Sequence, residues 1–174
     1  EKGNLTGYEI GVLKAIDELL PQYEFEYEVF EFKNILVGID GGKIDLAAHQ
    51  YEENEERRAK YLFSEESYTT YDKYVTVVKD RNDISGPGDL AGKKVRSGSA
   101  NNTAYNLEKY NKEHPDAQIN IIYSDETTEQ IINNLENGTY DATIDLERNV
   151  EKYNREYGDR LKIAGSEPFT RSNT

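Results

Sequence analysis

Arg57 and Asp145 carry the charged groups best suited to bind a small charged ligand. The guanidinium of Arg57 can grip a carboxylate through two parallel N–H bonds. Asp145 stands at the end of a predicted strand, where its carboxylate can accept hydrogen bonds from an ammonium group. The N–H groups at the start of the helix that follows Ser97–Asn102 add an anion-binding helix terminus. Together these groups suit a ligand with both a carboxylate and an ammonium.

Structural roles are the alternative for the same residues. Arg57 could form a surface salt bridge with Glu52, Glu53 or Asp89. Asp145 could cap the following helix, which is compatible with ligand binding. A single strand-end histidine such as His49 is more often packed or hydrogen-bonded than a pH switch.

Groups for catalysis or for cofactor binding are absent from the sequence. There is no cysteine, and no nucleophile–base pair, metal cluster or phosphate loop is evident. We therefore expect no catalytic residue, no metal and no cofactor. The 174 residues carry a formal net charge of −13. This excess of negative charge argues against nucleic acid or an anionic membrane as a partner. No apolar run is long enough to cross a bilayer.

Helix and strand patterns alternate along the chain, which predicts an α/β fold with parallel sheets. Glycine or proline punctuates the helices: Pro21 ends the first, Gly41-Gly42 the second, and Asn137-Gly138 a later one. The strands are predicted at Phe25–Val29, Ile44–Ala48, Val75–Val78, Lys94–Ser97, Ile119–Tyr123, Ala142–Asp145 and Leu161–Ala164. Residues 83–92 are predicted as a loop, and helices at Asn102–Glu113 and around residues 128–135.

One internal similarity predicts two lobes built alike. Gly42-Lys43-Ile44-Asp45-Leu46-Ala47 matches Gly138-Thr139-Tyr140-Asp141-Ala142-Thr143, and each follows an amphipathic helix. In such folds ligands bind at the carboxyl ends of strands, in the crevice between lobes. The alternative is that two α/β units share ordinary turn chemistry.

Five ordered motifs resemble the polar amino-acid class of type II solute-binding proteins, bacterial extracellular family 3. They are Leu5-Thr6-Gly7-Tyr8-Glu9-Ile10; Phe32–Ile39 followed by Gly42-Lys43-Ile44-Asp45; Glu56-Arg57 with Phe63-Ser64; Leu90-Ala91-Gly92-Lys93-Lys94-Val95; and Asn137-Gly138 through Asp145. The resemblance implies a two-lobed type II periplasmic-binding-protein fold, each lobe a mostly parallel sheet flanked by helices.

The resemblance also implies roles for individual residues. Arg57 would bind the carboxylate of an amino acid, Asp145 its ammonium, and Phe32 would pack over its side chain. Gln50 could offer its backbone carbonyl, while Glu52 replaces a hydroxyl residue that is usual in the family. We expect the remaining ligand contacts at Tyr51, Asn101 and Asn102.

The His49-Gln50-Tyr51-Glu52 segment resembles a Gram-positive subgroup associated with cystine or related sulfur amino acids. A second carboxylate at Glu52 could bind a second ammonium, such as that of cystine, ornithine or lysine.

The family pattern predicts residues 1–79 as lobe 1 without its first strand, 80–165 as lobe 2 and 166–174 as the start of a return crossover. Glu1-Lys2-Gly3-Asn4 is typical of a turn. We expect the family's first strand to precede Glu1 and roughly 50 residues to follow Thr174. Strand exchange or a dimer could then fill the gap in the first lobe. The hinge strands should include Tyr74–Lys79 and the segment around Gly165–Thr170.

The predicted function is extracellular capture of an amino acid for an ABC-type permease, and the protein would be a Gram-positive cell-surface lipoprotein or periplasmic. Two alternatives remain. One is the ligand-sensing domain of a membrane receptor. The other is an enzyme similar to cyclohexadienyl or arogenate dehydratase, with Glu52 or His49 as general acid.

Overall fold

The computed structural model describes residues 5–99 and 101–174. The chain divides into two compact units, Glu1–Tyr51 and Glu52–Thr174. The predicted lobe boundaries at residues 79 and 165 stay a prediction. The turn predicted at residues 1–4 lies outside the described residues, as does Ala100 of the segment predicted to bind an anion.

The described residues of the first unit, 5–51, form two helices, α1 (Tyr8–Leu19) and α2 (Phe32–Asp40). Both end where the sequence predicts. Pro21 follows α1 and cannot continue a helix, since its ring lacks an N–H donor. Gly41 caps α2, and Gly42 adopts a φ of +64°, a conformation that glycine reaches without steric cost.

The two strands predicted in the first unit, Phe25–Val29 and Ile44–Ala48, are not strands. Neither segment has a hydrogen-bonded ladder partner among the described residues, and a strand forms only when a neighbour pairs with its backbone. The alternation itself persists, because Phe25 and Tyr27 are half-buried between exposed glutamates.

Apolar surface stays open in the first unit. Among its described residues only Gly38 is buried, while Val29 is 80% and Leu19 78% exposed. A groove of about 770 Å³ runs along α1, α2 and the extended segment Tyr23–Phe30. This unit therefore buries far less apolar surface than the second.

The described residues of the second unit form four α-helices and six strands. The helices are α3 (Glu55–Arg58), α4 (Asn102–Glu113), α5 (Thr128–Glu136) and α6 (Glu147–Tyr157). The strands are β1 (Thr70–Val78), β2 (Lys94–Ser97), β3 (Asn120–Tyr123), β4 (Ala142–Leu146), β5 (Leu161–Ile163) and β6 (Thr170–Asn173). A 3₁₀ turn, Pro87–Leu90, interrupts the predicted loop.

The strands form one mixed sheet in the order β3-β2-β4-β1-β5, with β6 also paired to β1. The β2 strand is parallel to β3 and β4, whereas β1 is antiparallel to β4, β5 and β6. The predicted α/β class is confirmed, and β1 supplies the antiparallel pairs. Its register sets Lys73 opposite Leu146 and Tyr74 opposite Asp145.

Two apolar clusters hold the second unit together. The first includes Val75, Val77 and Val95, none of which is exposed. The second joins Ile132 and Leu135 of α5 to other buried side chains, which are Tyr140, Val150 and Leu161. Burial of this surface is the main stabilising contribution to the sheet that carries Asp145.

The predicted internal similarity appears at the two turns. Ile44 N donates to Gly38 O at 3.3 Å, and Tyr140 N donates to Asn134 O at 3.1 Å. Gly138 has a φ of +77°, like that of Gly42. The resemblance ends there, because only the second turn leads into a strand.

Candidate functional site

Arg57 lies in α3 and is tied to the start of α4 through Asn54. Asn54 Oδ1 caps α3 by accepting from Arg57 N at 2.8 Å. Asn54 Nδ2 donates to Asn102 Oδ1 at 2.7 Å. The Arg57 side chain donates from Nη1 to the carbonyl oxygen of Glu52 at 2.8 Å. A short helix cannot position a long side chain alone, so these bonds fix where Arg57 lies.

Glu52 and Lys73 form a buried ion pair beside Arg57. Glu52 is 7% exposed, and Lys73 Nζ donates to its Oε2. Lys73 Nζ also lies 3.4 Å from Thr103 Oγ1. The other carboxylate oxygen of Glu52, Oε1, is buried without a partner among the described residues. Burying a carboxylate oxygen without a hydrogen-bond donor costs free energy, so such an atom calls for an explanation. A ligand that donates to this oxygen would be one.

These contacts close a ring through three segments of the second unit. Arg57 bonds to Glu52, Glu52 to Lys73, and Lys73 to Thr103. Asn102, the neighbour of Thr103, returns the ring to α3 through Asn54. The charged groups are therefore fixed relative to one another by β1 and the first turn of α4.

Asp145 is partly buried near the end of β4, just before the start of α6. Its Oδ1 accepts from Leu146 N and from Asn149 Nδ2, both at 2.7 Å. Burial raises the pKa of the Asp145 carboxyl above its ordinary value, although these bonds and the positive charge of Lys73 act in the opposite direction. Asp145 does not cap α6 as the structural alternative expects, because Leu146 holds the N-cap position and no side chain caps this helix. The ligand role of Asp145 stays a prediction.

The same carboxylate affects the pKa of Tyr153. Burial, together with the charge and hydrogen bond of Asp145, raises the pKa of Tyr153 to about 12.

A cavity of about 250 Å³ joins Asp145 to the Lys73 region. Its apolar wall comes from α5 and the sheet, including Ile131 and Leu161. Its polar groups come from β1, β2, β4, α6 and the start of α4, and include Lys73, Arg96, Asn101, Thr103, Asp145, Asn149 and Tyr153. Small-ligand sites share this combination of apolar walls and few placed polar groups.

Asn101 and Asn102 mark the start of α4. Asn101 Oδ1 caps the helix by accepting from Ala104 N at 3.0 Å, and it also accepts from Ser97 Oγ at 3.0 Å. The first turn of a helix has N–H groups with no intrahelical acceptor. The cap occupies the N–H group of Ala104, and anion binding at this helix start stays a prediction. Ala100 lies outside the described residues.

Arg96 lines the cavity and also belongs to a polar network of its own. Its Nε donates to Ser124 Oγ at 3.1 Å. Ser124 Oγ and Tyr140 Oη both donate to Glu126 Oε2. The Tyr140 bond, the Ser124 bond and the charge of Arg96 hold the pKa of Glu126 below its ordinary value, despite some burial. Glu126 thus offsets the charge of Arg96.

The aromatic residues predicted as ligand contacts lie in the first unit. Phe32 and Tyr51 stack with ring centroids 5.1 Å apart, and His49 contacts Phe32 at 5.3 Å. These ring contacts favour the packed interpretation of His49. Gln50 adopts a backbone φ of +48°, a value that residues other than glycine rarely adopt. Such backbone strain is common at functional sites.

Three side chains of the charged ring were not predicted as site residues: Asn54, Lys73 and Thr103. Their partners lie 48, 21 and 30 residues away in sequence, so no local pattern identifies them. The one available signal was Lys73 itself, a lysine within a strand whose following residues are apolar.

Residues 1–117 match the family described as bacterial extracellular solute-binding proteins, family 3. This chain belongs to that family. This chain is 39% identical over 165 residues to the L-cystine-binding protein TcyJ of Bacillus subtilis (strain 168). The alignment covers 95% of this chain and 61% of that relative. The chain is 34% identical to the L-cystine-binding protein TcyK of the same organism, again over 61% of the relative's length.

The solved structures agree. The putative L-cystine ABC transporter from Listeria monocytogenes matches 100% of this solute-binding protein and 73% of its own chain, with a TM-score of 0.79 and 34% identity. The predicted type II periplasmic-binding-protein fold is confirmed. The chain spans less than two thirds of the length of the curated relatives it matches.

Within the described ranges, no helix is both long and apolar enough to cross a membrane. The same residues contain no group of three or more His, Asp or Glu side chains arranged to hold a metal ion.

Proposed function

We propose that this chain is the ligand-binding part of an extracellular protein that captures an amino acid, and that cystine is its ligand. The observation that carries the proposal is the ring of charged groups around Glu52, which joins Arg57 and Lys73 and borders the cavity of Asp145. The names of the two Bacillus relatives support cystine in particular.

Arg57 would bind the α-carboxylate, because a guanidinium offers two parallel N–H donors in fixed geometry. First-turn N–H groups of α4 would add to this, since Asn54 couples α3 to Asn102. Asp145 would accept from the α-ammonium. Its raised pKa fits such a role, because a positive ligand would offset the cost of a buried negative charge.

Cystine carries two ammonium and two carboxylate groups. The buried Oε1 of Glu52 lacks a donor among the described residues, and the second ammonium would supply one. Phe32, Gln50 and Tyr51 of the first unit stay predicted ligand contacts.

The two Bacillus relatives are named as L-cystine-binding proteins, and the Listeria structure is named as an ABC transporter. This favours uptake over sensing and over a dehydratase activity. The proposal therefore includes delivery of the amino acid, from outside the cytoplasmic membrane, to the permease of an ABC transporter. It also includes the location of the protein, either as a Gram-positive cell-surface lipoprotein or in the periplasm. Strand exchange or a dimer stays a prediction.

Calorimetry of the full-length protein against a panel of amino acids tests the proposal. We expect cystine to bind with a Kd well below 100 μM, which corresponds to about 5.5 kcal/mol. Arg57→Ala should weaken binding by about 2–5 kcal/mol, since it removes one partner of a desolvated charge pair. Arg57→Lys should recover only part of this, because an ammonium lacks the planar fork.

Arg58→Ala is the matched control. Arg58 is the next residue in α3, its side chain is 63% exposed, and it pairs with Glu53. Its removal should leave the Kd unchanged. The proposed function is wrong if no amino acid of the panel binds, and the carboxylate role of Arg57 is wrong if both arginine variants bind like the wild type.

A further inference from the structure

Lys73 is buried beside the predicted site residues, although it was not itself predicted as one of them. Its side chain is 13% exposed, although lysine is almost never buried without a partner. Its ammonium donates to Glu52 Oε2 and lies near Thr103 Oγ1. On β1 it faces Leu146 in the ladder, next to Asp145, and it lines the same cavity as Asp145.

Lys73 acts electrostatically on both carboxylates of the site. It pairs directly with Glu52, and its charge lowers the pKa of Asp145 in opposition to burial. Arg96 also lines the cavity, but Glu126 offsets its charge through the Ser124 and Tyr140 network.

The charges of the site therefore balance. Arg57 and Lys73 contribute two positive charges, and Glu52 and Asp145 contribute two negative ones. A zwitterionic amino acid, or a ligand with two of each charge, adds no net charge to this arrangement. A ligand with a surplus ammonium or guanidinium would add an uncompensated positive charge beside Lys73, where the low dielectric strengthens repulsion.

We propose that Lys73 is a specificity-determining residue, which excludes cationic amino acids such as arginine and so restricts the site to net-neutral ligands. Without Lys73, only the positive charge of Arg57 would face the carboxylates of Glu52 and Asp145, and this net negative site would attract a ligand with a net positive charge. With Lys73, one carboxylate is already neutralised by the protein. This inference rests on the proposed function, because it concerns which amino acid the same site accepts.

The test measures the ratio of the Kd for L-arginine to the Kd for L-cystine in the full-length protein by calorimetry. We expect a ratio well above one for the wild type. Lys73→Gln should lower the ratio at least about tenfold, a change of about 1.4 kcal/mol. Lys73→Arg, which keeps the charge, should keep the ratio.

Lys79→Gln is the matched control. Lys79 directly follows β1, and it pairs with Asp159 on the surface. Its replacement removes the same charge from the protein, so any effect of overall net charge would appear in this variant as well. We expect its ratio to equal that of the wild type.

A second pair of variants guards against loss of folding. Lys73→Gln leaves the buried carboxylate of Glu52 without its partner, which destabilises a protein strongly. Glu52→Gln keeps an amide oxygen that can accept from the Lys73 ammonium, and the double variant Glu52→Gln/Lys73→Gln leaves neither charge of the pair buried alone. The two variants differ only at Lys73. The ratio should be at least about tenfold lower in the double variant than in Glu52→Gln.

The outcomes separate the two proposals. If the wild type binds no amino acid, the proposed function fails and this inference fails with it. If the wild type binds cystine but the ratio is unchanged both in Lys73→Gln and between the two Glu52 variants, Lys73 is only structural. Tighter binding of arginine than of cystine by the wild type would also overturn the inference.

Discussion

At the scale of single residues, Asp145 shows a conflict between stability and binding. Its carboxylate is partly buried and has a raised pKa because burial disfavours its charged form. The bonds from Leu146 N and Asn149 Nδ2 compensate only in part. Under the proposed function, this destabilising charge is retained because it binds an ammonium, and the ligand would relieve it.

Asp145→Asn should therefore stabilise the ligand-free protein at neutral pH and weaken cystine binding by about 2–5 kcal/mol. The raised pKa means that the folded state binds more protons than the unfolded state in the range just above the ordinary value of 3.8. The contribution of Asp145 to stability consequently falls as the pH rises through that range. Thermal unfolding at several pH values should show the Tm advantage of Asp145→Asn growing as the pH rises.

Asp141→Asn is the control of opposite sign. Asp141 is also partly buried, which by itself would raise its pKa, but the Lys94 N–H and Arg81 lower it overall. Its stabilising contribution is present above the ordinary pKa and is lost as the pH falls, so Asp141→Asn should be destabilising at neutral pH. Equal effects of the two substitutions would contradict this explanation, and unchanged cystine affinity in Asp145→Asn would refute its ligand role.

At the scale of elements, the connection between β5 and β6 depends on one glycine. Gly165 has a φ of +77°, and a Cβ at this position would lie 2.1 Å from the carbonyl oxygen of Ser85. Because that neighbour is backbone, it cannot rotate away as a side chain would. This connection leads β6 back to pair with the start of β1, within the segment predicted as a hinge.

Gly165→Ala should lower the free energy of unfolding by more than Gly92→Ala. Gly92 has a φ of +72° but no atom within 4 Å of an added Cβ. Both substitutions cost about 1–2 kcal/mol for the left-handed backbone, and only Gly165→Ala adds a steric clash of about 1–3 kcal/mol. Urea unfolding of both variants measures the difference, and equal midpoints would show that Ser85 yields without cost.

At the scale of the whole molecule, the two units differ in how much they bury. Among residues 5–51 only Gly38 is buried, whereas Val75 and Val77 of β1 have no exposed surface. Local opening requires less free energy where few apolar groups are buried. The first unit should therefore open more readily than the second.

Hydrogen exchange of the 174-residue chain tests this expectation on two helices. Amides of α1, which contains no buried residue, should exchange at least about tenfold faster than those of α5, which buries Ile132 and Leu135. The two helices differ by only three residues in length, so length is not the cause. Equal protection would mean that the first unit is stabilised by interactions other than apolar burial.

The sequence alone determined what depends on nearby residues. The bounds of β2 and α4 were predicted correctly. Both elements depend on consecutive residues, since β2 has an alternating pattern and α4 begins after an asparagine cap. The five family motifs likewise predicted the family, and they identified Arg57 and Asp145 as candidates for binding.

Only the tertiary structure decided what depends on distant partners. Phe25–Val29 and Ile44–Ala48 have the pattern of strands but lack a ladder partner among the described residues, whereas β6, which was predicted only as a crossover, pairs with β1. Lys73 enters the site for the same reason. Its neighbours Glu52, Thr103 and Leu146 are brought together by the sheet register and by the first turn of α4, and no local pattern encodes contacts across such separations.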